Sequence, residues 1–184
     1  ALNLPPNLES ANCGRNGFTT VGNLPSSLID FYIYENQINS LPTLPASLKT
    51  LSCGNNPMTS PLPVLPDSLE TLSAYQCNLS VAPLLGSNLN TIDLRHNQLT
   101  TIDSFPLSAT IINISENLIT TLPNIPENVK RLYVSNNLLT SIPYIPDSIN
   151  TSHFDHNQIT TIDSIPKYCS LIIGSYNQIS ILPN

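Results

Sequence analysis

Charged residues are scarce in this chain. Only 10% of its 184 residues are charged, and the net charge is −6. So little basic charge disfavours nonspecific binding to a phosphate backbone, and we expect no nucleic-acid partner. Apolar residues still make up 40% of the chain. Because they are evenly spread, they predict a folded protein rather than a disordered tail.

Long apolar runs are also missing. No stretch approaches the roughly 20 residues of a membrane-spanning helix, and no signal peptide is visible. We therefore expect no membrane span. The chain starts inside a repeat, at Ala1-Leu2-Asn3-Leu4, and we expect upstream sequence and flanking caps to have been removed.

Proline, in contrast, is abundant, with 17 residues. Residues 41–45 and 142–146 each hold two prolines within four positions. Proline lacks a backbone donor and forces the preceding residue towards extended geometry. These segments are therefore predicted to be extended or polyproline-like, with little or no helix.

An asparagine recurs along the whole chain at a spacing of twenty residues. It stands at Asn16, Asn36, Asn56, Asn97, Asn117, Asn137, Asn157 and Asn177. One extra residue lies between Asn56 and Asn97, and there Cys77 takes the place of the asparagine. We number each repeat from the apolar residue that precedes its proline, so that the asparagine occupies position 13. Repeats then start at Leu4, Leu24, Leu44, Leu65, Leu85, Phe105, Ile125, Ile145 and Ile165.

Positions 8 and 10 are apolar in most repeats, while positions 7, 9 and 11 are mostly polar. This alternation predicts a short half-buried strand. The full pattern, Leu-x-x-Leu-x-Leu-x-x-Asn/Cys-x-Leu, is that of a leucine-rich repeat. One repeat cannot bury its apolar side alone, so stacked repeats share a core and their strands form a parallel sheet. We predict a single solenoid domain of about nine coils, residues 1–184, with the sheet on the concave side.

The asparagine side chain is predicted to turn inward and to satisfy backbone groups of adjoining coils. Cys77 can do so only weakly, so repeat 4 should be the loosest coil. The extra residue falls in 61–64 and is expected to bulge on the convex side.

Residues 41–51, Leu-Pro-Thr-Leu-Pro-Ala-Ser-Leu-Lys-Thr-Leu, resemble the bacterial twenty-residue, LPX-type leucine-rich repeats. The familiar members are type III effectors of the YopM and IpaH kind, and the resemblance covers essentially the whole chain. It implies a bacterial effector that is secreted into a host cell. The family's N-terminal helical cap and the ubiquitin-ligase domain of the IpaH branch do not occur in this sequence.

The four cysteines are predicted to be small buried thiols. Cys13 and Cys53 share an inward position two repeats apart, so about 10 Å separates them. That exceeds the ~7 Å between Cα atoms that a disulfide tolerates. Unpaired thiols slightly favour a reducing environment.

Outward positions 7, 9, 11 and 12 define the concave face. All three arginines, all three histidines and five of the seven tyrosines fall on it, whereas no lysine does. Arginine and tyrosine enrichment with lysine depletion is typical of a binding interface. The predicted protein-binding residues are Tyr32, Tyr34, Tyr75, Asp93, Arg95, His96, Glu116, Arg131, Tyr133, His153, Asp155 and His156.

These residues form two zones. Tyr32, Tyr34 and Tyr75 flank Ser52 and Gly54, which suggests a shallow trough with aromatic walls for a side chain or a short peptide. The remaining nine residues form a mixed-charge zone suited to a polar protein partner. Alternatively, the tyrosines are simply solvated, and neighbouring acids and bases merely neutralise one another.

Chemistry at this face is not expected. His153, Asp155 and His156 converge on repeat 8, but a zinc site needs further ligands, and Glu116 and His96 lie two and three strands away. A catalytic arrangement of Ser135, a histidine and Asp155 lacks an oxyanion hole and a closed pocket. We therefore predict no metal, no cofactor and no catalytic residue.

The last repeat carries apolar residues in outward positions, Leu171 and Ile173. Exposed apolar residues on an open sheet edge are a liability. They are expected to be covered by a missing C-terminal cap or, alternatively, by a partner.

The predicted function is non-enzymatic recognition of a protein, with a host target suspected. One alternative is a substrate-recruiting fragment of a larger enzyme such as a ubiquitin ligase. Another is a cell-surface or extracellular adhesion module, for which the glycosylation triplets at Asn78, Asn113 and Asn150 are compatible. The sequence leaves the oligomeric state open.

Overall fold

The computed structural model describes residues 1–182, and short parallel strands are their regular secondary structure. The strands are β1 Ser10–Asn12, β2 Asp30–Tyr32, β3 Thr50–Ser52, β4 Thr71–Ser73, β5 Thr91–Asp93, β6 Ile111–Asn113, β7 Arg131–Tyr133, β8 Ser141–Ile142, β9 Thr151–His153, β10 Thr161–Ile162 and β11 Leu171–Ile173. These residues contain no helix, and hence none that is long and apolar enough to cross a membrane.

Within residues 1–182, nine strands form one parallel sheet in the order β1-β2-β3-β4-β5-β6-β7-β9-β11. Each residue pairs with the residue at the same position of the next repeat, as Tyr32 does with Ser52. The extra residue does not break this register, since Thr50 pairs with Thr71. The predicted leucine-rich-repeat solenoid is thereby confirmed.

The core lies behind the sheet and runs the length of the array. In repeat 2, Leu28, Phe31, Ile33 and Ile38 occupy positions 5, 8, 10 and 15, and each is 0% exposed. The same inward positions recur in the next coil, so each coil packs on the apolar side chains of its neighbours. Burial of these stacked rows stabilises coils that are too short to fold singly.

The asparagine ladder has the predicted role. Asn56 Nδ2 donates to the carbonyls of Ile33 at 2.9 Å and Cys53 at 2.9 Å, and its Oδ1 accepts from the N–H of Ile38 at 2.9 Å. The same bonds recur at Asn117 and Asn137. These asparagines therefore join neighbouring coils by satisfying backbone groups that the turn leaves unpaired, whereas Asn16 of the first coil bonds only within its own turn.

The convex side is non-helical, as predicted, but it contains a turn that the sequence pattern did not reveal. The carbonyl at position 2 accepts from the N–H at position 5, as Pro25 does from Leu28 at 3.1 Å. A second ladder holds these turns together. In it Ser47 Oγ donates to the carbonyl of Leu28 at 2.6 Å, and Ser108 and Ser148 make the equivalent bond in later repeats. The short strands β8 and β10 also pair on this side, which was not predicted.

Position 12 has a left-handed backbone in all nine described repeats, with φ between 52° and 58°. The residues are Arg15, Glu35, Asn55, Gln76, His96, Glu116, Asn136, His156 and Tyr176. None is β-branched, in keeping with the steric cost of that conformation. The absence of β-branched residues at position 12 was the one sequence signal for this left-handed turn, and it was not predicted.

The coils around Cys77 depart from the pattern. Cys77 Sγ lies 3.3 Å from the carbonyl of Cys53, so it replaces only the donor half of an asparagine. The N–H of Met58, which would otherwise donate to position 13 of the next coil, turns to the carbonyl of Asn56 at 2.8 Å. That repeat 4 is the loosest coil remains a prediction.

The prediction that all four cysteines are buried is wrong for two of them. All four cysteines are free, but Cys13 and Cys169 are only half-buried, because they lie in the outermost coils. Cys53 and Cys77 are fully buried and hydrogen-bonded to each other. That hydrogen bond, together with burial, raises the pKa of the Cys53 thiol well above its ordinary value.

Candidate functional site

The strands place the predicted binding residues on one surface. In most of them the middle residue is buried and its two neighbours point outward, so positions 7 and 9 face solvent on the concave side. Because the register is constant, these outward residues form continuous rows across the sheet. The row at position 9 runs from Asn113 to Tyr133 and on to His153.

The tyrosine zone differs from the predicted trough. The ring of Tyr75 lies directly over Gly54, where a Cβ would collide with it. The ring of Tyr34 covers Gly14 in the same way. Tyr75 therefore fills the space above Gly54 rather than walling it, because the missing side chain of glycine leaves room for the ring.

Arg95 extends this layer. Its guanidinium lies 5.0 Å from the centre of the Tyr75 ring and 3.7 Å from the carboxylate of Asp93. Burial raises the pKa of Asp93 above its ordinary value, and the charge of Arg95 offsets part of that shift. Gly54, Tyr75 and Arg95 thus form a stacked surface that joins the two predicted zones.

Most charges of the mixed zone are paired. His96 Nδ1 lies 2.7 Å from Glu116, and His156 Nδ1 lies 2.8 Å from Asp155. Outside that zone, Arg15 pairs with Glu35 at 3.2 Å. Acids and bases of this face therefore lie next to one another, and pairs at a surface contribute little stability.

Arg131 is the exception. Within residues 1–182 it makes no ion pair, its side chain is exposed, and Ile111 and Thr151 are its strand neighbours. Beside it, the rings of Tyr133 and His153 meet edge to face with centres 4.9 Å apart. In the described structure, His153 Nε2 is buried without a hydrogen-bond partner. Arg131 is therefore the cation of this zone that is available to an outside acceptor.

Asp155 joins two neighbours in an order unsuited to nucleophilic catalysis. Ser135 Oγ donates to Asp155 Oδ1 at 2.5 Å, and Asp155 Oδ2 binds His156. Burial raises the pKa of Asp155, but the hydrogen bonds from Ser135 and His156 outweigh it and hold the pKa below its ordinary value. A serine nucleophile needs histidine between serine and carboxylate, whereas here the carboxylate stands in the middle.

The two histidines of repeat 8 point to different partners. His153 packs against Tyr133, while His156 stacks on Tyr176 with ring centres 4.2 Å apart. Nowhere in residues 1–182 do three His, Cys, Asp or Glu side chains gather so that they could hold a metal. Tyr176 was counted on this face but not chosen as a site residue, because sequence alone did not show that it stacks on His156.

Comparison with known proteins extends these observations. A family profile described as Leucine Rich Repeat matches residues 88–110. A search of curated proteins by sequence returns no match. Among solved structures, YopM from Yersinia pestis, a leucine-rich effector protein, has a TM-score of 0.85 and 26% identity, over 99% of this chain and 58% of that one.

Two further structures are similar. YopM from Yersinia enterocolitica has a TM-score of 0.82 and 27% identity, over 99% of this chain and 45% of that one. The leucine-rich-repeat domain of a Shigella effector has a TM-score of 0.62 and 30% identity, over 95% of this chain and 71% of that one. The chain thus spans about half the length of the two Yersinia proteins.

Proposed function

The chain belongs to the bacterial leucine-rich-repeat proteins, and from this premise we propose that it recognises a partner protein through its concave face. Leucine-rich-repeat solenoids generally act as non-enzymatic interaction scaffolds, with extended concave surfaces for binding. The proposal places this chain among them. It assigns the twelve residues predicted from the sequence, together with Tyr176, to the binding surface.

One observation carries the proposal. The rigid, in-register sheet gathers the arginines, the histidines and most tyrosines on one face, and Arg131 there has no ion-pair partner within residues 1–182. Arginine and tyrosine are the residues that most often dominate binding energy at interfaces. The layer of Tyr75 and Arg95 adds an aromatic surface on the same face, on which a partner can bury apolar area.

The cellular role is part of the same proposal. The similar proteins from Yersinia pestis and Shigella are effectors. We extend that role to this chain and assign it to a secreted or translocated protein that meets its target inside a host cell.

A matched pair of triple variants tests the concave face. The first carries Arg95→Ala, Arg131→Ala and Tyr133→Ala. The second removes the same kinds of side chain elsewhere, by Lys130→Ala, Lys167→Ala and Tyr144→Ala. Each is immobilised, and proteins captured from host-cell lysate are quantified by mass spectrometry against the unmodified chain.

We expect the concave triple to lose its specific partners by about tenfold or more, as when several central interface residues are truncated together. The control triple should retain them. Thermal unfolding of both should stay within about 4 °C of the parent, because the replaced side chains are at the surface. Equal capture by the concave triple and the parent would show that this face is not the binding surface.

A further inference from the structure

Negative charge collects on the side of the solenoid opposite the concave face. The convex segments 61–67, 80–88, 100–108, 120–128, 140–148 and 160–168 contain five carboxylates but a single cation, Lys167. The five are Asp67, Asp103, Glu127, Asp147 and Asp163. All three arginines lie on the concave face, where they offset part of its own acidic charge, so the convex segments are the more acidic side.

Exposed apolar side chains accompany these carboxylates. Val64 is 89% exposed, Leu84 is 81%, Leu107 is 79% and Val81 is 64%. They lie in three successive convex segments, 61–67, 80–88 and 100–108, so they form one patch rather than scattered residues. Contiguous apolar patches that are rimmed by polar residues mark interaction sites.

The patch is grooved. Three clefts of about 200, 220 and 380 Å³ lie side by side across these coils. The first two share residues 81–84, and the second and third share Asp103 and Ser104. Together they form what we call the convex groove, which crosses four coils. At about 4.8 Å a coil it is roughly 15 Å long, the span of four or five extended residues.

The groove is open because the convex segments there stay apart. Later in the chain, Ser141–Ile142 pairs directly with Thr161–Ile162, so those two convex segments are hydrogen-bonded to each other. No such pairing occurs between the segments that line the groove, within residues 1–182. The insertion that includes Val64 and the proline-rich turns thus leave room beside exposed backbone and apolar side chains.

The largest of the three clefts combines an apolar floor with two acids. Phe105 and Ile125 are each 6% exposed and form the floor, and Leu107 stands beside them. Asp103 begins one lining segment and Glu127 ends the other. In the described structure neither carboxylate has an ion pair or a side-chain hydrogen bond, so both are available to an incoming cation.

We propose that the convex groove binds an extended peptide segment of a partner protein, in which aliphatic residues precede lysine or arginine. The aliphatic residues contact Val81, Leu84 and Leu107. The cation reaches Asp103 and Glu127 while its methylene stem lies on the apolar floor, an arrangement that suits long basic side chains. A second copy of this chain is a poor occupant, because its own convex face would bring like charges together.

Fluorescence anisotropy with designed peptides tests this. The probe is a labelled peptide of three aliphatic residues followed by two lysines. Its counterparts replace the lysines by glutamates or the aliphatic residues by serines. We expect the probe to bind, and both counterparts to bind about tenfold more weakly or not at all. Added salt should weaken binding of the probe.

Variants locate the site. Asp103→Asn with Glu127→Gln should lower the affinity for the probe about tenfold, and Leu84→Ser with Leu107→Ser should lower it by a similar factor. The matched control, Glu9→Gln with Asp30→Asn, removes the same charge from one exposed and one half-buried acid outside the groove and should change affinity less than about twofold. Equal weakening by both charge pairs would mean general attraction to an acidic protein and would overturn the proposal.

Two further outcomes would also overturn it. One is binding of the glutamate peptide as tightly as the lysine peptide. The other is self-association of the chain, seen by sedimentation, that the leucine pair abolishes. Because the concave triple variant leaves the groove intact, it should bind the probe normally, so a failure of one proposal is distinguishable from a failure of the other.

Discussion

Replacing Asn117 by alanine tests what the asparagine ladder contributes to stability. Asn117 Nδ2 donates to the carbonyls of Leu94 at 3.0 Å, Ile114 at 3.0 Å and Ser115 at 3.2 Å. Its Oδ1 accepts from the N–H of Leu99 at 3.0 Å. The side chain is buried, with the residue 6% exposed. Asn117→Ala removes all four bonds at once.

Loss of these four hydrogen bonds does not cost the same free energy at each backbone partner. Each of the three carbonyls keeps a second donor after the substitution. In the same order, these donors are Asn97 Nδ2 at 2.9 Å, Asn137 Nδ2 at 3.0 Å and the N–H of His96 at 3.0 Å. The N–H of Leu99 has no second acceptor among the described residues and becomes a buried, unpaired donor. An orphaned buried group costs about 1–3 kcal/mol, so we expect a destabilisation of about 2 kcal/mol.

Cys77 provides the matched control in the same chain. There the N–H of Met58 is already satisfied by the carbonyl of Asn56. Cys77→Ala therefore orphans no backbone donor and removes only weak bonds of Sγ, to the carbonyls of Cys53 and Tyr75 and to the thiol of Cys53. We expect it to cost about 1 kcal/mol, mainly from the small cavity.

Urea unfolding, followed by far-ultraviolet circular dichroism, measures both variants. With a slope of about 2 kcal/mol/M, Asn117→Ala should lower the midpoint by about 1 M. Cys77→Ala should lower it by about half as much. If the two variants lost equal stability, the argument that the orphaned Leu99 N–H dominates the cost would be wrong. An unchanged slope is needed for the comparison, because repeat arrays can lose cooperativity.

Two further outcomes follow from single positions. Gly86 takes the place of the proline found at position 2 of other repeats, its N–H makes no backbone hydrogen bond, and its carbonyl accepts from Leu89 as proline does. Gly86→Pro should therefore stabilise by about 0.4–1 kcal/mol in the same urea assay, and a loss would show that the local backbone is incompatible with proline. The pKa of Asp155 lies below its ordinary value because hydrogen bonds from Ser135 and His156 outweigh its burial. Its ionised form therefore contributes stability that is present above about pH 4 and is lost as pH falls through the folded-state value. Asp155→Asn should flatten that acidic loss in urea midpoints measured against pH, and an identical pH profile would contradict this.

Asparagine spacing was enough to predict the fold. A residue that returns every twenty positions sets the register, and the register places Tyr32, Arg131 and His153 on one face before any coordinates are known. The extra residue in 61–64 was expected on the convex side, and the strands on either side of it do remain aligned.

Contacts between coils could not be predicted in the same way. The positions of Tyr75 over Gly54 and of Arg95 over Tyr75 depend on which neighbour lacks a side chain and which ring occupies the space. The same holds for the pair of Tyr176 and His156. A periodic pattern gives each residue a direction but does not give its rotamer.

The sequence by itself determined the architecture, because stacking identical short coils has one solution once the buried positions and the bridging asparagine repeat. Only the tertiary structure decided which charges remain available. It paired His96 with Glu116 and His156 with Asp155, and it left Arg131 without a partner among residues 1–182. It also separated the convex segments that line the groove. Pairing and separation depend on distances of a few ångströms between coils, which residue order does not specify.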